Sequence, residues 1–221
     1  MNTRPIVIVS SCAASRFLRD LLLALPGTRP WDGLPLGLGG SGRPVSLSSN
    51  YATDFGSLLQ ICPDVQVVSL ERSPLDAVRE IVGEGYDAVG AKIAQLDSDG
   101  VGEAQRQKLF EDVVGAPLSP HPFLRIGLDV AFRTVMARDA MSMLGDGAGA
   151  MLDVSVWQAE FEGITAALLD ALGFVPESEP VARALETLQV PRSLSKDRLP
   201  ETILHRDVEE YLIGLAKSFA Q

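Results

Sequence analysis

An α/β fold with a parallel central sheet and helices on both faces is predicted by two features of the sequence. Three apolar runs have the length and β-branched content of buried strands: Ile6 to Val9, Gln66 to Leu70 and Ala150 to Val156. Each run feeds a helical pattern, and strands alternating with helices build a parallel sheet between helical layers. The architecture expected is three-layer α/β/α, with a mostly parallel sheet. A single α/β domain over 1–221 is expected, with a helical insertion at about 86–149 and a helical C-terminal segment at about 178–221.

The first run breaks into the small residues Ser10-Ser11-Cys12-Ala13-Ala14-Ser15. Phe17, Leu18, Leu21, Leu22 and Leu25 then recur three and four apart, the apolar stripe of a core-facing helix. Loop amides and a helix N-terminus converging on one point form a phosphate cradle. Pro26-Gly27 ends this helix, and the Gly- and Pro-rich stretch to Gly42 reads as a loop. Val45-Ser46-Leu47 is a short strand, and Thr53 caps a helix running through Phe55, Leu58, Leu59 and Ile61.

The second strand runs directly into Glu71-Arg72-Ser73-Pro74-Leu75-Asp76. Ser73 suits an N-cap, Pro74 the first helical position, and Asp76 the third, where a carboxylate favours the helix dipole. Arg72 then stands at the carboxyl end of a strand beside a helix N-terminus, where open α/β sheets bind ligands. An ion pair with Asp76 or a helix-terminus contact is the alternative reading of Arg72. Two modest helices follow between Tyr86 and Gly115, broken by Asp97-Ser98-Asp99-Gly100. A long helix spans Leu124 to Leu144, and its Met136, Met141 and Met143 read as core filling. Further helices run through Phe161 to Leu172, Pro180 to Leu188 and Val208 to Phe219. Trp31 and Trp157 line an acceptor pocket or pack in the core, the core being the expectation for Trp157.

Composition excludes several classes. The net charge of −10, from 19 Lys and Arg against 29 Asp and Glu, argues against nucleic-acid binding, which needs clustered cations. An anionic ligand must therefore be held by a local arrangement against the overall field. His121 and His205 fall outside the strand–loop–helix core, so a histidine-based site is not expected. Cys12 and Cys62 give neither a disulfide framework nor metal spacing, and no metal is expected. No apolar run is long enough to span a bilayer, and the N-terminal one is too short for a secretory signal. A cytoplasmic protein is expected, with a small-molecule acceptor as partner, no membrane partner, and a homodimer among the expected states.

Three stretches together resemble the P-loop sulfotransferase family over roughly residues 5–188. The opening strand with SSCAASRFLRDLL is similar to that family's 5′-phosphosulfate loop, G-x-P-[KR]-[SA]-G-[ST]-[ST]-x-L. The run VVSLERSPLDAV resembles its 3′-phosphate motif, R-[ND]-P-x-D-x-x-x-S, with Arg72, Pro74 and Asp76 matching. The segment from Leu152 to Phe174 resembles the strand, loop and helix around Y-E-D-L and a later L-G.

The resemblance implies a sulfuryl transfer from 3′-phosphoadenosine 5′-phosphosulfate to a hydroxyl or amine. It implies a donor site at Ser11, Cys12, Ala13, Ala14, Ser15, Arg16 and Phe17, with Arg72 and position 80 at the 3′-phosphate. The sequence also departs from the pattern. Ala13 stands where the family carries a cation, Asn50 where its catalytic base falls, and Glu80 where a phosphate-binding Ser belongs. A carboxylate at close range repels phosphate. The C-terminal R-K-G has its nearest counterpart in Arg192-Ser193-Leu194-Ser195-Lys196.

Arg16 reads either as a solvated helix residue, the expectation, or as a substitute cation for the donor and, with Asn50, a catalytic candidate; Glu71 and Asp153 are candidate general bases. These departures favour a second reading, a catalytically inactive relative that binds a nucleotide or a partner. A third follows from Cys12, which with Ser15 forms a Cys-x-x-Ser resembling thioredoxin-like and glutathione-transferase N-termini, although a small buried cysteine is the expectation there.

Overall fold

The computed structural model describes residues 4–9, 13–31, 41–48, 58–60, 62–98, 104, 108, 111–112, 121–145, 147–194 and 204–218. Five strands lie among them: β1 (Ile6–Val9), β2 (Thr28–Pro30), β3 (Arg43–Ser48), β4 (Gln66–Glu71) and β5 (Gly149–Asp153). The helices are α1 (Ala13–Leu23), α2 (Pro74–Glu84), α3 (Tyr86–Ser98) and α4 (Pro122–Ser142). They continue with α5 (Val154–Ala159), α6 (Phe161–Ala171), α7 (Glu179–Thr187) and α8 (Arg206–Ser218). The chain divides into two units, Met1–Glu71 with Met136–Asp197, and Arg72–Val135 with Arg198–Gln221.

The first unit is built on an all-parallel sheet in the order β2-β3-β1-β4-β5. All four β1 residues are buried, which a strand between two parallel neighbours requires when both faces are covered. Register pairs Ile6 with Val45 and Gln66, and Ile8 with Leu47 and Val68, so equivalent side chains share a face. On one face Ile6, Ile8, Val45, Val68 and Leu70 meet the apolar stripe of α1 and residues of α5, α6 and α7. Trp157 is fully buried there, stacked on Phe161 and tilted against Phe17. Its indole N–H donates to Thr165 Oγ1 at 2.9 Å, satisfying the ring's polar atom.

The other face receives Val7, Val9 and Val67. Trp31, Leu58, Cys62 and Val65 cover it together with Ala137 and Ala140 from the end of α4. Burial, with the charge of Asp64 adding, pushes the Cys62 thiol above its usual range, so Cys62 behaves as a small apolar group. Helices on both faces of an all-parallel sheet are the architecture the sequence predicts.

Three local expectations are corrected. β2 has no signal of its own and exists through pairing with the first residues of β3. β5 stops at Asp153, because that carboxylate caps α5 by accepting from Ser155 N at 2.7 Å; residues 154–156 are helical. Met136 and Met141 pack on the core, whereas Met143 is 67% exposed in the turn beyond α4.

At the amino-terminal edge of the sheet, Arg43 begins β3 with its side chain buried. Its guanidinium donates to the carbonyls of Arg4 and Leu172 and to Gln66 Oε1, and lies over the Phe174 ring at 5.2 Å. Burial, with the charge of Arg4 adding, lowers its pKa to about 10.

In the second unit, α2, α3, the first part of α4 and α8 enclose a core that includes Val78, Leu96, Ile126, Val208 and Leu212. α4 and α8 approach closely at Gly127, where a Cβ would stand 2.2 Å from Leu212 Cδ2. Asp129 is fully buried in this unit and receives Lys92 at 3.1 Å and Arg133 at 3.0 Å. Burial alone would raise its pKa; the two cations outweigh burial and hold the carboxyl below the usual range. Its stabilising contribution is therefore present at neutral pH and lost as pH falls below about 4, through the depressed folded value. Asp129→Asn, followed by urea unfolding from pH 7 to pH 2, should lose about 3–5 kcal/mol at pH 7. The acid-dependent slope should flatten relative to the parent.

Candidate functional site

Open parallel sheets bind ligands beyond the carboxyl ends of their strands, where the strand order reverses. In the first unit this point lies between β1 and β4: the chain leaves β1 for β2 and β3 on one side, and β5 joins β4 on the other. Val9 is in register with Ser69, so the carboxyl ends of the two strands lie side by side. α1 begins at Ala13, four residues beyond the end of β1.

The predicted donor-loop residues separate by position. Ser10, Ser11, Cys12 and Asn50 lie outside the described residues, as do residues 32–40 of the Gly-rich loop and 195–200 of the basic loop. Ala14 and Phe17 point into the core, and Ser15 is buried. Arg16 is exposed on the first turn of α1, at the end where the helix dipole favours an anion. Any contribution from Ala14 and Phe17 is thus through the backbone, while Arg16 can reach outward with its side chain.

Glu71 ends β4, and both its oxygens are taken by one arginine. Arg138 of α4 donates Nε to Oε1 at 3.0 Å and Nη2 to Oε2 at 3.1 Å. The hydrogen bonds that Arg138 donates to Glu71, with the charge of that carboxylate, raise the Arg138 pKa against the opposing effect of burial. A carboxylate held in such a fork is occupied as a hydrogen-bond acceptor, and proton abstraction by it requires the fork to open. Asp153, the other candidate base, is occupied in capping α5. The two predicted bases are therefore structural in this arrangement. Sequence reasoning missed Arg138, which lies 67 residues from its partner with no local signal.

The second unit begins with the other predicted cation. Ser73 is the N-cap of α2, with Ser73 Oγ accepting from Asp76 N at 3.1 Å and donating to Asp76 Oδ2 at 2.7 Å. This reciprocal cap engages one oxygen of Asp76. Arg72 pairs with Glu80, two turns along α2, and the two side chains are only 12% and 13% exposed. At an effective dielectric of about 20, a like charge about 4 Å from Glu80 is opposed by about 4 kcal/mol, which a single guanidinium must offset.

Among the described residues, no group of three His, Cys, Asp or Glu side chains is placed to hold a metal ion. No helix among them is long and apolar enough to cross a membrane.

This topology is the sulfotransferase fold. The sulfotransferase from Alicyclobacillus acidocaldarius superposes with a TM-score of 0.55 at 12% identity, covering 99% of this chain and 93% of that one. The sulfotransferase domain of the Synechococcus PCC 7002 olefin synthase gives 0.60 at 13%, covering 100% and 95%. Mouse sulfotransferase SULT7A1 complexed with PAP gives 0.56 at 12%, covering 97% and 84%. No family model matches the sequence, and no curated protein matches it. The likeness thus lies in the path of the backbone over the whole chain.

Loss of the α2 cap tests the local architecture of Arg72. Ser73→Ala should destabilise the protein by about 1 kcal/mol in urea unfolding, the usual effect of removing a serine N-cap.

Proposed function

We propose that the protein binds an adenosine nucleotide of the 5′-phosphosulfate type and transfers its sulfuryl group to a hydroxyl or amine. The observation that carries this reading is the start of α1 directly beyond β1, at the reversal point of a sulfotransferase-type sheet that accounts for the whole chain. Amides of the loop and of the first turn of α1 bind the 5′ end, and Arg16 supplies the charge that Ala13 does not. The reference donor is 3′-phosphoadenosine 5′-phosphosulfate, supported by a structure of the same fold complexed with PAP.

The acceptor oxygen or nitrogen bonds to sulfur as the sulfur–oxygen bond to the 5′-phosphate breaks. The nucleotide leaves as its 5′-phosphate, and the acceptor proton passes to solvent. Negative charge grows on the bridging oxygen, where helix amides and a guanidinium stabilise it most. A second reading, a nucleotide-binding protein without turnover, is favoured by one observation: Glu71 and Asp153 are both engaged elsewhere.

Calorimetric titration with adenosine 5′-phosphate and with PAP tests the nucleotide site. Binding of either below millimolar, weakened about tenfold in Arg16→Ala, is expected, since a charge-assisted hydrogen bond contributes about 1.5–3 kcal/mol. Absence of binding at millimolar ligand overturns both readings. Sulfate-ester or sulfamate formation from the donor across a panel of hydroxyl and amine acceptors separates the enzyme from the silent binder.

A further inference from the structure

Among the described residues, β5 pairs with β4 and with no other strand, so it forms one edge of the sheet. Val67 is in register with Gly149, and its N–H donates to the Ala148 carbonyl at 2.8 Å. The backbone groups of residues 148, 150 and 152 therefore turn toward β4, and those of Gly149, Met151 and Asp153 turn outward. The Asp153 carbonyl enters α5, of which Asp153 is the N-cap, and leaves its N–H on the outer side. The two edges of the sheet differ. β2 is Thr28-Arg29-Pro30, and a cation and a proline are what keep an edge from pairing with another chain. β5, Gly149-Ala150-Met151-Leu152-Asp153, has neither. Met143, Met151 and Val156, exposed large apolar side chains of the first unit, belong to β5 or flank it.

We propose that β5 pairs antiparallel with β5 of a second copy of this chain about a two-fold axis at Met151, joining two five-stranded sheets into one. The direction of the backbone groups selects that arrangement. In an antiparallel pair, residues that exchange hydrogen bonds stand directly opposite one another. A two-fold axis at Met151 sets Met151 against its copy and Asp153 against Gly149, all residues whose groups turn outward. A symmetric parallel pair would set each residue against itself, whereas parallel strands bond where a bonding residue faces a non-bonding one. Charge agrees. Copies of a chain with a net charge of −10 repel, so they can meet closely only across a neutral patch. Asp153 is the one charged residue of β5, and the antiparallel pair holds the two aspartates four residues apart along the strands. At about 3.4 Å per residue that is roughly 13 Å, beyond the screening length of about 8 Å at physiological salt.

The test is sedimentation velocity of the full chain over a concentration series, on wild type, Met151→Lys and Val175→Lys, with circular dichroism to establish folding. Lysine at 151 sets two cations against each other at the axis; lysine at 175 adds the same charge at an exposed position outside β5. Wild type and Val175→Lys should be dimers at micromolar concentration. Met151→Lys should dissociate about tenfold more readily or worse, since like charges directly opposite on paired strands are destabilising. Amide hydrogen exchange on wild type gives a second readout that needs no variant: the Met151 and Asp153 amides should be protected in the dimer and exchange freely on dilution. A wild type that stays monomeric up to millimolar concentration overturns the proposal. A folded Met151→Lys that dimerises like wild type, or protection of these amides that dilution does not change, overturns the role of β5. Growth beyond the dimer overturns the closed two-fold pairing.

Discussion

Everything in the first unit follows from the burial of β1 between two parallel neighbours. Its backbone is bonded to β3 on one side and β4 on the other, and its side chains alternate between two apolar layers. A strand in that position has no solvent face, so helices must cover both sides of the sheet. A buried charge in this unit is Arg43, seated at the amino-terminal edge among carbonyl oxygens and an aromatic ring. Its lowered pKa measures how much of its hydration has been given up there.

At the opposite edge, charge is arranged in closed pairs. Arg138 is bound to Glu71, and Asp153 caps the helix that follows its strand; within the second unit, Arg72 is bound to Glu80 and Ser73 to Asp76. Such pairing keeps an acidic protein from accumulating repulsion where its strands end. It also narrows the chemistry available to these groups: each carboxylate is an acceptor of hydrogen bonds before it is a base. Arg16 differs in standing exposed on the first turn of a helix, where an anion is favoured on two counts.

Much of this was legible in the sequence because it is local. The β-branched runs at residues 6–9 and 66–70, the stripe from Phe17 to Leu25, and the Ser73-Pro74 start of α2 depend on neighbours within a few positions. β2 was illegible for the opposite reason: three residues beside Pro26 and Gly27 become a strand only when Arg43 and Pro44 come alongside. The end of β5 was misread because Val154 and Val156 have strand propensity, yet an aspartate just before them starts a helix. The site divided in the same way. The position of Arg72 followed from the strand–helix boundary, but its partner did not. Asp76 is nearer in sequence and shares the cap of α2 with Ser73, while Glu80 meets Arg72 from two turns along the helix. Arg138, like Lys92 beside Asp129, meets its partner through tertiary packing alone.

The two tryptophans have a consequence for observation. Trp157 lies in the layer on one face of the sheet, its N–H bonded to Thr165 and its ring stacked on Phe161. Trp31 lies in the layer on the other face, buried, its N–H without a hydrogen-bond partner among the described residues. The protein thus carries one tryptophan per layer, both buried. With one of the two replaced by phenylalanine, the emission of the other reports a single side of the sheet, and the pair of variants reveals whether the two sides loosen together or one before the other.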